Sequence, residues 1–228
     1  MTKAELNALV TGFTGRTDKD ALINTLLLVG LREIAKTHDF MSMVSTVDIV
    51  IPAPIPPATN TPSVSLPANW HHVFEARLIN GSSSMKFEIH QKNWVVERWP
   101  NITDTNVGIP VLGYIEGGNV YLYPAANALY GLRVTLSTLP SDDTFGDGAD
   151  ECPIPLAEMP LVYWVCERIL KGVGAYEEGQ VYGNDYRLSL IDSIRTDRRA
   201  ITKDYTPLVG SESDIPKPDS YLDPFARR

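Results

Sequence analysis

The sequence predicts an α+β fold: a helical bundle of N- and C-terminal helices, an inserted antiparallel β-sandwich or barrel, and an extended C-terminal arm. Three observations predict it. Apolar residues recur at helical spacing up to about residue 38 and again after about residue 155, but come in short alternating or β-branched runs between residues 44 and 140. Of the 17 prolines, six fall between Pro52 and Pro67 and four fall in the last 24 residues. From Tyr205 onward no apolar period exists at all, only prolines and Gly210 among scattered charges. The expected boundaries are residues 1–43 and 141–204 for the helical part, 44–140 for the β part and 205–228 for the arm.

The elements follow in order. Thr2 and Glu5 have capping-box spacing, and Leu6, Leu9 and Val10 share one side of a short helix ended by Gly12 and Gly15. Thr17 offers the next cap. Leu22, Ile23, Leu26, Leu27, Val29, Leu31 and Ile34 then surround a helix apolar on so many sides that it must be buried in its own domain or between subunits. It ends near His38. Val47, Ile49 and Ile51 alternate as in a strand, and the cluster Pro52 to Pro67 reads as a loop, because proline cannot donate to a sheet ladder. Strand-like runs follow at Val73 to Ile79, Met85 to His90, Trp94 to Trp99, Val111 to Ile115, Val120 to Tyr123 and Leu132 to Leu136. Asn80-Gly81 and Gly117-Gly118-Asn119 carry hairpin chemistry. After Pro140 comes an acidic loop, then a helix from Leu156 to Leu170 stopped by Gly172 and Gly174, and another from about Asn184 to Lys203.

Composition excludes several function classes. The 228 residues, 43% hydrophobic with four tryptophans, suffice for one large or two small packed domains. A formal charge of −8, from 28 acidic against 20 basic side chains, disfavours a surface built to grip nucleic acid or anionic lipid. The longest apolar-rich stretch, Ala21 to Leu31, is too short to span a bilayer, and the first residues do not read as a secretory signal, so a cytosolic site of synthesis is expected. Cys152 and Cys166 are too few for a disulfide framework and read as buried thiols of a reducing compartment.

Chemical motifs are scarce. The chain has no phosphate-binding loop, dinucleotide fingerprint or nucleophile elbow. His38, His71, His72 and His90 show no metal-ligand spacing, and no metal or cofactor is expected. The cluster Asp142, Asp143, Asp147, Asp150 and Glu151 supplies oxygen ligands suited to calcium but lacks the EF-hand order, leaving a solvated loop as the alternative. A hydrolase built on that loop is a further reading. Trp70, Trp94 and Trp99, with Tyr114, Tyr121 and Tyr123, form either a stacking platform for a carbohydrate- or receptor-binding module or a β core. Arg187, Arg195, Arg198 and Arg199 alternate with Asp185, Asp192, Asp197 and Asp204, a mixed surface. The arm carries Tyr205, Tyr221, Leu222 and Phe225, ending in Arg227 and Arg228, on a string unable to bury its own apolar residues; such a segment calls for a partner.

The succession Leu31-Arg32-Glu33-Ile34, Gly118-Asn119-Val120-Tyr121-Leu122-Tyr123-Pro124 and Leu132-Arg133-Val134-Thr135-Leu136, leading through Leu139-Pro140 into the acidic loop and two helices, resembles the head-to-tail adaptor proteins of short-tailed bacteriophages. The resemblance covers roughly residues 17 to 200. It implies a non-enzymatic virion protein at the head–tail junction, forming a ring, commonly of twelve copies, between the portal protein and the tail or nozzle proteins and extending the DNA channel. It also implies that residues 205–228 insert between portal subunits, with Tyr205, Tyr221, Leu222, Phe225, Arg227 and Arg228 as the portal-contacting residues. An acidic channel wall would let DNA slide without binding its phosphates.

Overall fold

The structure, a computed structural model, describes residues 1–53, 61–98 and 107–204. Its α+β class agrees with the sequence. The helices are α1 (Lys3–Thr14), α2 (Asp20–Thr37), α3 (Lys92–Arg98), α4 (Asp142–Phe145), α5 (Glu158–Gly172) and α6 (Tyr176–Asp204). The strands are β1 (Val44–Ile51), β2 (Thr61–Ser65), β3 (Trp70–Asn80), β4 (Ser83–Ile89), β5 (Val107–Gly108), β6 (Leu112–Glu116), β7 (Asn119–Ala126) and β8 (Tyr130–Thr138).

Two large cores and one small cluster form among the described residues. The helical core gathers Leu6 and Val10 of α1, Ile23, Leu27, Leu31 and Ile34 of α2, and Leu161, Val165 and Ile169 of α5, with Phe145 and Ile154 from the intervening segment. The second core gathers Ile51, Leu78, Phe87, Leu122, Leu132 and Leu136 from the strands. Each fully buried aliphatic side chain contributes roughly 1.5–3 kcal/mol relative to exposure. Helix α5 is the centre of the bundle, touching α1, α2 and α6. Gly30 of α2 permits the close approach: a Cβ there would lie 2.7 Å from the Trp164 ring and 2.8 Å from Leu161 Cδ1.

The strand order is β1-β8-β3-β4-β6-β7-β2, with β5 paired to β7 off this path. The Gly81 turn (φ 59°) and the Gly117-Gly118 turn (φ 58° and 80°) join β3 to β4 and β6 to β7, as their sequences imply. The sheet is mixed rather than purely antiparallel, because β4 pairs with β6, and β5 with β7, in parallel. A parallel pair needs a crossover, and α3 supplies part of it between β4 and β6.

Other sequence expectations shift for local reasons. Trp94-Val95-Val96 reads as strand by propensity, yet residues 92–98 are helical and Val95 is buried with Leu112 and Tyr123, so tertiary packing overrides propensity. The stretch Pro52 to Pro67 is not all loop: β2 carries Pro62, tolerated because β2 ends the sheet path and its register is irregular between Thr61 and Ser63. The predicted Thr2/Glu5 capping box is formed, but α1 runs through Gly12 and ends only at Gly15, in the left-handed conformation. Thr17 does not cap α2; residues 17–19 make a short 3-10 turn instead. Part of the acidic loop is the short helix α4.

Helix α6 begins at Tyr176, eight residues before its predicted start, and its Gly179 and Gly183 allow close packing on α5. A Cβ at Gly183 would lie 2.8 Å from Glu167 Oε1, and one at Gly179 would lie 3.0 Å from Lys171 Cγ.

Candidate assembly surfaces

Helix α6 buries one narrow face. Gly179, Gly183, Ser193 and Asp197 are buried, and Tyr182, Tyr186, Leu190 and Ile194 pack partly against the helical core. On the opposite side Val181 (59% exposed), Leu188 (65%) and Ile191 (40%) face outward. A helix apolar on both sides has one side to spare. Helix α2 repeats the arrangement: Ile23, Leu27, Leu31 and Ile34 are fully buried, while Leu22 (48%) and Val29 (41%) face out. The over-apolar helix noted in the sequence is thus only partly satisfied within the chain. Phe13, also exposed, forms a triangle of rings with Tyr163 at 6.5 Å and Tyr182 at 6.2 Å, which are 6.2 Å from each other.

Carboxylates stitch the helical and β parts together. Asp39, just beyond α2, accepts hydrogen bonds from Ser137 Oγ of β8 (2.5 Å) and lies 3.3 and 3.2 Å from Nδ1 of His71 and His72 of β3. Burial pushes its pKa up, but these hydrogen bonds outweigh burial and hold it below the ordinary carboxylate value. Arg32 Nε donates to the Pro140 carbonyl (2.8 Å), and Leu139 N–H donates to the Asn69 carbonyl (2.7 Å). Within the helices, buried Asp197 of α6 lies 2.8 Å from His38 Nε2 and accepts from Met41 N–H at 3.3 Å. All four histidines therefore have carboxylate partners, His90 Nε2 lying 3.3 Å from Glu88 Oε2. His90 also stacks on Trp94 at 4.0 Å.

The aromatic candidates divide between environments. Trp70 packs against the main β core, while Tyr123 is buried with Val95 and Leu112, and Tyr114 lies against that smaller cluster. Tyr114 stacks on Tyr121 across β6 and β7 at 4.8 Å. Trp94 is exposed on α3, and Trp99 lies outside the described residues. The core reading accounts for Trp70 and Tyr123.

The acidic loop is held by the N-terminus. Lys3 N–H donates to the Asp150 carbonyl and Ala4 N–H to the Gly148 carbonyl, both at 2.9 Å. The buried Lys3 Nζ caps the Phe145 and Gly146 carbonyls at 3.1 and 2.9 Å. Among the described residues no three His, Cys, Asp or Glu side chains group as they would around a cation. Both thiols are buried: desolvation pushes Cys152 up to about 11 and Cys166 up to about 12, far from the range of a reactive nucleophile. No helix among the described residues is long and apolar enough to cross a membrane.

The histidines and the buried thiols are thus tied into structure, while apolar faces of α2 and α6 stay uncovered. The model of the SU10 adaptor protein family matches residues 1–211. The chain belongs to the SU10 adaptor protein family. That family comprises phage head–tail adaptors, so the resemblance seen in the sequence holds at the level of family, and the chain is a structural adaptor of the phage virion. No curated protein matches the chain. The family match ends at residue 211, before Tyr221, Leu222, Phe225, Arg227 and Arg228. These five and Tyr205, the candidate portal contacts, all lie outside the described residues.

Proposed function

We propose that this SU10-family adaptor forms a ring, of twelve copies by family resemblance, between the portal and the tail or nozzle proteins, extending the channel through which DNA leaves the head. Residues 1–43 and 141–204 form the ring and meet the portal, residues 44–140 project outward or toward the tail, and residues 205–228 lock the adaptor to the portal. The observation that carries the reading is the pair of uncovered apolar faces on α2 and α6 in a chain matched to an adaptor family over residues 1–211. The net charge of −8 suits a conduit that DNA crosses without being held, because like charges repel. The work is mechanical, and no step of it requires catalysis, a cofactor or a metal.

The arm is the part most easily separated from the rest. Ordering a proline-rich segment on a partner costs less conformational entropy than ordering a flexible one. Truncation after Thr206 is therefore expected to weaken or abolish capture of the chain by its cognate portal while leaving thermal unfolding unchanged. Undiminished capture by the truncated chain would sink the arm's role.

A further inference from the structure

We propose that neighbouring copies in the adaptor ring meet through unlike surfaces, the outer face of α2 in one copy packing along the outer face of α6 in the next, with Leu22 and Val29 set against Val181 and Leu188. The inference rests on the ring reading above and adds which surfaces touch.

Both faces have the same construction. Leu22 and Val29 are seven residues apart, as are Val181 and Leu188, so each pair lies on one side of its helix about 10 Å apart. All four are exposed.

The two bands also lie at the same height in the bundle. Gly30 of α2 sits against Leu161 and Trp164 of α5. On the other side of the hairpin, Gly183 sits against Glu167, and Ser193 Oγ donates to the Leu156 carbonyl at 2.6 Å, so α6 runs antiparallel to α5. Interpolating between these contacts places residues about 185–188 of α6 at the level of Leu161 and Trp164, and hence of Gly30. The His38–Asp197 contact, near the C-terminal ends of both helices, fixes the same alignment. Helices α2 and α6 therefore run in the same sense, with Val29 near the height of Leu188.

Symmetry then selects the occupant. An adaptor has a head end and a tail end, so every copy must stand the same way up. A two-fold contact of α6 with α6, or of α2 with α2, would invert alternate copies. Rotation about an axis along the bundle keeps direction and height, bringing the apolar band of α2 opposite that of α6. The charges beside each band pair within their own helix, Lys36 with Glu33 at 2.8 Å and Arg195 with Asp192 at 3.6 Å, so the apolar bands carry the contact.

Cross-linking tests the contact. Val29→Cys and Leu188→Cys are made separately in the full chain, where the native Cys152 and Cys166 are buried, then mixed on the cognate portal and treated with a short bismaleimide. Covalent dimers are expected from the mixture, and a ladder of oligomers from the V29C/L188C double variant. Portal-bound rings without the mixed cross-link, or with V29C–V29C or L188C–L188C products predominating, would overturn the interface while leaving the ring intact. Absence of any ring would overturn the ring reading and the interface together. As a second measurement, Leu188→Glu should lose ring formation with its melting temperature unchanged; normal rings from L188E would refute the contact.

Discussion

Asp197 fastens the C-terminal part of α6 to the end of α2, eight residues before the arm begins. Replacing it with alanine removes a carboxylate that is 4% exposed, lies 2.8 Å from His38 Nε2 and accepts from Met41 N–H at 3.3 Å. A hydrogen bond to a charged group contributes roughly 1.5–3 kcal/mol. The Met41 bond is long and Met41 is exposed, so water replaces most of it. The expected loss is thus about 2–3 kcal/mol. In a chain of this size 1 kcal/mol corresponds to roughly 2–4 °C in melting temperature, giving a fall of about 4–12 °C. Thermal unfolding followed by circular dichroism measures it. A double-mutant cycle with His38→Ala should return a coupling of about 1–2 kcal/mol, since both single variants break the same contact. A change in D197A below about 0.5 kcal/mol, or additive effects of the two substitutions, would refute the assignment of Asp197 as a pin between the helices.

Three further outcomes are expected. Asp39 has a depressed folded-state pKa, so its stabilising contribution is present above its unfolded value and is lost as pH falls through the lower folded value; urea titrations should show the gap between wild type and Asp39→Asn closing in acid, and a gap constant with pH would contradict this. Gly113→Ala would drive a Cβ into the Tyr121 carbonyl oxygen and to 2.9 Å from Phe87 Cζ, forcing β6 from β7 at a cost of about 2–4 kcal/mol in chemical denaturation; a neutral substitution would contradict that contact. Cys152 and Cys166 should react with a thiol reagent at pH 8 only on unfolding, and rapid labelling of the native chain would show that the helical core is open.

What could be read from the sequence was whatever depends on local periodicity. The capping box of α1, the run from Val44 to Ile51 and the two glycine turns follow from neighbouring residues, and each forms where expected. What escaped reading depends on distant partners. Gly179 and Gly183 look like helix breakers until α5 lies against them, and Trp94-Val95-Val96 looks like strand until Val95 is drawn toward Leu112 and Tyr123. The parallel pairing of β4 with β6 has no signature in either strand. The assembly surface was half legible: excess apolar residues on α2 were visible, but the matching face of α6 was not, because a helix expected to start only at about Asn184 leaves Val181 out and separates it from Leu188. The pairing of His71 and His72 with Asp39 joins residues 32 and 33 positions apart and had no sequence motif to reveal it.

The most direct test of assembly is electron microscopy of the full-length chain mixed with its cognate portal. A closed ring of adaptor copies seated on one end of the portal, with its channel continuous with the portal's, is the expected result. A chain that stays monomeric and leaves the portal unchanged would contradict the adaptor ring.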